Sequence, residues 1–187
     1  TLLNKALVQG GEGDDSFTGV YVSSTVYGGQ GADTMTIAAN GATSSRFLLN
    51  DGADLFTAAG AFTSATISGG AGADTLNVFG SATTKVTSGT GNDAITYQET
   101  TTTATTDLGT FYFGWGSGTD TIAFGATGSS LVVAVSNDYG STGTITYGGS
   151  TGSLTVGGSS ILFTGINGTN TTIAFSSISE SSITALG

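Results

Sequence analysis

The sequence predicts an all-β protein, a right-handed parallel β-solenoid with Gly/Asp loops along one edge and a loop-free β segment at its C-terminal end. Three observations predict it. A glycine-rich octapeptide with an aspartate at a fixed place recurs six times, and apolar and polar residues alternate on both sides of the copies. The composition, 32 Gly, no Pro and 37% hydrophobic residues in a chain of 187, favours short strands joined by tight turns.

The copies are GGEGDDSF (Gly10–Phe17), GGQGADTM (Gly28–Met35), LNDGADLF (Leu49–Phe56), GGAGADTL (Gly69–Leu76), SGTGNDAI (Ser88–Ile95) and WGSGTDTI (Trp115–Ile122). Their aspartates, Asp15, Asp33, Asp54, Asp74, Asp93 and Asp120, are 18, 21, 20, 19 and 27 residues apart. The threonine-rich run at 100–107 accounts for the long last interval as an insertion on the opposite edge.

Two residues after each aspartate stand Phe17, Met35, Phe56, Leu76, Ile95 and Ile122; two residues before each copy stand Val8, Val26, Phe47, Ile67, Val86 and Phe113. All are apolar, and their neighbours are mostly polar. Such period-2 alternation means two short strands per repeat, each with one buried face. A unit of about 20 residues cannot bury those faces alone. Stacking does so: each repeat becomes one coil, and equivalent residues form ladders about 4.8 Å apart. Arg46 and Lys85 stand one residue from the apolar column and are expected to face solvent.

Acidic residues outnumber basic ones 13 to three (Lys5, Arg46 and Lys85), for a net charge of −10. That balance argues against nucleic acid and against anionic membrane surfaces, and it suits a divalent cation. With no Cys and no His, thiol nucleophiles, His-based triads and the usual zinc sites are absent. No apolar run approaches the roughly 18 residues of a membrane-spanning helix, so no transmembrane segment is expected. The opening TLLNKALVQGG has too short an apolar stretch for a secretory signal peptide. No activated nucleophile or base stands out, and the chain does not read as an enzyme.

A hard cation such as Ca²⁺ takes six to eight oxygens, from carboxylates and carbonyls. The loops offer one aspartate each, and glycines that let backbone carbonyls turn inward. The candidate metal positions are Asp15, Asp33, Asp54, Asp74, Asp93 and Asp120, with Gly11, Gly13, Gly29, Gly31, Asn50, Gly52, Gly70, Gly72, Gly89, Gly91, Gly116 and Gly118. Six loops leave five gaps, so about five ions are expected. Asp14, Asp51 and Asn92 beside the motif are either auxiliary ligands or solvated turn residues, and Asp138 is a turn residue.

After Phe124 the motif fades while alternation persists (Leu131, Val133, Val135; Ile145, Tyr147; Leu154, Val156; Ile161, Phe163; Ile173, Phe175). In GGSTGSLTV, Ser153 stands where the aspartate would be. The expected division is therefore 1–124, calcium-binding coils, and 125–187, a metal-free β cap that also serves assembly.

The repeats resemble the G-G-x-G-x-D-x-U-x nonapeptide of the RTX family, in which a parallel β-roll binds calcium. The match is best at Gly28–Met35 and Gly69–Leu76. The family commonly carries a motif on both edges of each coil; this chain has one per coil, which implies calcium on a single edge. The resemblance further implies export from a bacterium by type I secretion with an uncleaved C-terminal signal, for which SSISESSITALG stands. The expected function is that of a secreted, extracellular structural protein. It would fold on binding calcium and self-associate into a surface layer, filament or matrix attached to the cell surface. The alternatives are a passive RTX domain of a larger secreted protein, or a calcium-dependent ice-binding or adhesin module. For the latter speak GTGND (Gly89–Asp93) and the threonines at 18, 36, 57 and 96.

Overall fold

A computed structural model describes residues 1–60, 62–79, 81, 83–98, 106–114, 116–124, 129–136, 146–148, 150–156, 158–165, 172–179, 181 and 186. The described residues form a parallel β-solenoid of about six turns with almost no helix among them. Successive strands fall alternately into two sheets. The first contains, in spatial order, β1 (Leu2–Asn4), β3 (Ser16–Val22), β5 (Thr34–Thr43), β7 (Leu55–Ala58), β9 (Thr75–Phe79), β11 (Ala94–Gln98), β13 (Thr119–Phe124), β17 (Ser159–Thr164), β16 (Thr151–Val156) and β15 (Thr146–Gly148). The second runs β18 (Thr172–Ile178), β14 (Ser129–Ser136), β12 (Thr106–Phe113), β10 (Lys85–Thr90), β8 (Thr66–Ala71), β6 (Arg46–Asp51), β4 (Thr25–Gln30) and β2 (Leu7–Glu12).

The inward columns are those the alternation predicts. Phe17, Met35, Phe56, Leu76, Ile95 and Ile122 pair in register along the first sheet, and Phe163 follows. Val8, Val26, Phe47, Ile67 and Val86 do the same along the second. One expectation needs correction. Val86 pairs with Phe111, not Phe113. The offset between these coils is 25 residues where Lys85 meets Thr110 and 27 where Gly91 meets Gly118. Two of the extra residues thus lie in the last Gly/Asp loop itself, and the rest enter before β12. Of the threonine run, 100–105 lie outside the described residues.

Aromatic side chains fill the space between the sheets. Tyr21 meets Phe47 edge-on at 5.5 Å, Phe47 meets Phe56 at 5.4 Å, and Tyr97, Phe124 and Phe163 form a stacked series. Burial raises the phenol pKa of both tyrosines. The Tyr97 hydroxyl is buried without a partner, and nothing in the structure explains it.

Beyond Phe124 the same two sheets continue. β14 stacks on β12, and β17 stacks in parallel on β13. Leu131, Val133, Leu154, Ile161 and Phe163 belong to one hydrophobic cluster with the earlier coils. β16 then runs antiparallel to β17, which leaves Ser153 exposed on a strand rather than in a loop. Ile145 and Asp138 lie outside the described residues.

The edge opposite the Gly/Asp loops has its own repeating device. Lys5, Ser23, Ser44 and Ser64 adopt positive φ of 51°, 49°, 50° and 62°. This left-handed residue makes the corner, and its N–H donates to the next coil: Lys5 to Val22, Ser23 to Thr43 and Ser44 to Thr63. Inside the corner the buried Ser24 and Ser45 hydroxyls donate to carbonyls, and each accepts an N–H from the coil before. All three basic residues stand at this edge: Lys5 in a corner, Arg46 and Lys85 at the starts of β6 and β10. Both Arg46 and Lys85 are exposed, as expected, and Arg46 donates to the Leu186 carbonyl at 3.0 Å.

Phe47 lies at the centre of the aromatic packing and is fully buried. Phe47→Ala is expected to remove about 3–5 kcal/mol of stability. Thr57→Ala, on the outer face of the first sheet, should change it by less than about 0.5 kcal/mol. Urea denaturation of both variants at one fixed calcium concentration checks the contrast.

Candidate metal centre

Each Gly/Asp loop turns by placing glycines at positive φ, such as Gly29 at 123° and Gly70 at 113°. The conformation alone favours glycine, and the stack makes it compulsory. A Cβ on Gly70 would strike the Asn50 carbonyl of the preceding coil, and one on Gly72 the Gly52 carbonyl. Asn50, at φ 79°, fills the same column without glycine, as asparagine tolerates the left-handed region best.

The loops interlock along the edge. Gly13, Gly31, Gly52 and Gly72 donate their N–H groups to the carbonyls of Gln30, Asp51, Ala71 and Thr90 in the next coil, at 2.7 to 2.9 Å. The candidate columns Gly11, Gly29, Asn50, Gly70, Gly89 and Gly13, Gly31, Gly52, Gly72, Gly91, Gly118 therefore come together as stacked rows. Gly116 does not join them. It falls in the two-residue enlargement of the last loop, at φ 77°, where a Cβ would meet open space.

The aspartates form a continuous row. The backbone N–H of Asp15 donates to Asp33 Oδ1 at 2.8 Å, that of Asp33 to Asp54 at 2.7 Å, and that of Asp54 to Asp74 at 2.9 Å. The N–H of Asp74 donates to Asp93 at 2.8 Å and that of Asp93 to Asp120 at 3.2 Å. From Asp33 onward each carboxylate thus uses one oxygen to clamp the loop before it. Asp33, Asp54, Asp74, Asp93 and Asp120 are at most 3% exposed.

The second oxygen is the unusual one. Oδ2 of Asp15, Asp33, Asp54, Asp74 and Asp93 is buried and has no hydrogen-bond partner. Only in Asp120 does this oxygen find one, the Ser88 hydroxyl at 2.8 Å. At Asp33, Oδ2 and the Leu49 carbonyl oxygen both crowd the face of Gly28 where a side chain would stand. The same holds for Asp15 and the Gly28 carbonyl at Gly10, and for Asp74 and the Ser88 carbonyl at Gly69. Gly10, Gly28 and Gly69 therefore belong to the site. Sequence reasoning missed their role because it credited the later glycines with turning the carbonyls, although they open every closely matching copy. Ser88, at the same position of its own copy, was missed as well.

Asp14 and Asn92 turn out to brace the stack. Asp14 Oδ1 accepts the Ala32 N–H at 2.8 Å and Asn92 Oδ1 accepts the Thr119 N–H at 3.0 Å. Asp51 is exposed, and its carbonyl accepts the Gly31 N–H.

Burial raises the carboxyl pKa from an ordinary 3.8 to about 6 at Asp54 and about 7 at Asp74 and Asp120. Asp33 and Asp93 are raised for the same reason. Hydrogen bonds to the carboxylates oppose the shift, from backbone N–H groups and at Asp120 chiefly from the Ser88 hydroxyl, while neighbouring carboxylates reinforce it. Among the described residues no three acidic side chains converge as a metal cluster. Each of the five gaps offers an orphaned carboxylate oxygen, and those at Asp15, Asp33 and Asp74 a backbone carbonyl beside it: oxygen donors, which suit a hard cation such as calcium.

A raised folded-state pKa means that the folded protein holds protons more tightly than the unfolded chain, so folding is favoured at low pH. In chelator, stability should be highest near pH 3.8 and fall as pH rises towards about 7, while the row is forced to ionise. Thermal melts across that window check the slope; a melting temperature that rises with pH would contradict it.

No described helix is long and apolar enough to cross a membrane. No family model, no curated protein and no solved structure matches this chain.

Proposed function

We propose that the aspartate row holds a line of calcium ions, about five, one between successive loops, and that the protein is a secreted structural element which folds on calcium and self-assembles. The observation that carries this reading is the row of buried, unpartnered Oδ2 atoms at Asp15, Asp33, Asp54, Asp74 and Asp93. An ionised carboxylate left so is costly, by several kcal/mol in a protein interior. A cation at each gap would remove that cost and the repulsion along the row together. Oδ2 and the next loop's carbonyl would be its first ligands, where the opening glycine leaves room.

The resemblance of the repeats to RTX nonapeptides supports the same ion and export by type I secretion. Self-association into a surface layer, filament or matrix is supported by two features. The surface is rich in Gly, Ser and Thr and nearly free of cations. β18 ends the second sheet with one side unpaired among the described strands, and such an edge is a template for β-augmentation.

Chelator should abolish most of the circular-dichroism signal of the strands at pH 7, and millimolar calcium should restore it; equal β content in both would sink the proposal. Asp74→Asn separates the charge from the clamp. The amide can still accept the Asp54 N–H but cannot balance a cation. The variant should bind fewer calcium ions by titration calorimetry while its metal-free form becomes more stable at pH 7. Electron microscopy with and without calcium tests assembly separately: a protein that stays monomeric throughout would remove the assembly part and leave the metal sites standing.

A further inference from the structure

The outer face of the second sheet carries a recess that the aspartate row does not use. Tyr27, Leu48, Ser68, Thr87 and Tyr112 lie side by side on successive strands, in the row that faces away from the core. Leu48, Ser68 and Thr87 are nevertheless only 4, 4 and 6% exposed. Leu48 and Ser68 are the floor of a depression with Tyr27 at one end; Tyr112 stands four strand spacings, about 19 Å, further along the row.

Beside this floor runs the row Gly29, Asn50, Gly70 and Gly89, in which glycines flank Asn50 and leave its side chain standing alone. Asp51, Ala71 and Thr90 form the rim beyond it. Between Tyr27 and this rim the depression opens into a cavity of about 520 Å³. That is within the range of small-molecule sites, about 300–1,000 Å³.

The lining selects its ligand by exclusion. Among the described lining residues Asp51 is the one charged group, and all three basic residues of the chain lie elsewhere, so phosphate, sulfate and uronate groups meet repulsion. A wholly apolar ligand would strip water from the polar groups of Asn50, Ser68 and Thr90 and return nothing. A ring with one apolar face and a rim of hydroxyls meets both demands. Its C–H face fits the Tyr27 ring and Leu48, and its hydroxyls fit the Asn50 amide and the Asp51 carboxylate, planar groups that each bond two neighbouring hydroxyls.

We propose that this recess binds a neutral hexose unit of a glycan chain, with Tyr27 as the stacking platform and Asn50, Asp51 and Ser68 as the hydroxyl-reading groups. The site is built on β4, β6, β8 and β10 and requires of the metal row only that the sheet be folded.

The test uses the full chain, ¹⁵N-labelled and held in one saturating calcium buffer, titrated separately with cellohexaose, maltohexaose and chitohexaose. At least one should shift the amide resonances of Tyr27, Leu48, Asn50, Asp51, Ser68 and Thr90, with a Kd on the order of millimolar. Tyr27→Ala should weaken binding about tenfold or more, and Thr57→Ala on the other sheet should not change it. Ala71→Trp, an exposed rim position, should block the recess without touching the core, which keeps the test alive should Tyr27→Ala fail to fold. The proposal is overturned if none of the three sugars shifts these resonances, or if Ala71→Trp and a folded Tyr27→Ala bind as the parent does. Hexagalacturonate binding as well as the neutral sugars would overturn its charge selection.

Discussion

Loop backbones of neighbouring coils approach one another along the acidic edge until a carbonyl oxygen presses on the Cα of the glycine beyond it. Asn50 presses on Gly70, Gly70 on Gly89, and Gly52 on Gly72. No side chain fits between them. That spacing sets the parallel register of both sheets, because a loop that cannot close to this distance cannot deliver its flanking strands to the ladders. It also decides what the aspartates can do. Their side chains turn into the stack, and from Asp33 onward each uses one oxygen on the N–H of the loop before.

The clamp and the charge therefore pull in opposite directions within one residue. A carboxylate accepting a backbone N–H stabilises a loop terminus, and the bond is strengthened by the charge. Burial among like charges destabilises that charge, as the raised carboxyl pKa values at Asp54, Asp74 and Asp120 express. Asparagine would supply the clamp without the conflict, as Asn92 does one column away for the Thr119 N–H. A row that keeps aspartate in six successive loops retains a charge that the fold by itself does not need. The surplus gives the cation reading its physical basis.

Much of this was legible in the sequence because it repeats. The inward columns from Phe17 to Ile122 and from Val8 to Val86 follow from period-2 alternation, which a one-residue slip would have inverted. Register failed at Phe113, where the enlarged loop moved the column to Phe111. An insertion between two anchored strands leaves no mark on alternation, since two extra residues preserve its phase. The serine corners were also missed. Ser23-Ser24, Ser44-Ser45 and Ser64-Ala65 carry no charge or glycine to draw attention, and a left-handed serine is visible only in backbone angles. Which carboxylate oxygen lacks a partner could not be read from spacing at all; it depends on which way a side chain turns inside a loop.

The separation of the two edges has an electrical consequence. Nine of the 13 acidic residues, Glu12, Asp14, Asp15, Asp33, Asp51, Asp54, Asp74, Asp93 and Asp120, sit at the Gly/Asp loops, and all three cations sit at the serine corners. The strands between span about 17 Å, twice the Debye length of about 8 Å at physiological salt. Charges placed so far apart do not screen each other's surroundings. At higher ionic strength each edge answers only to what lies directly against it.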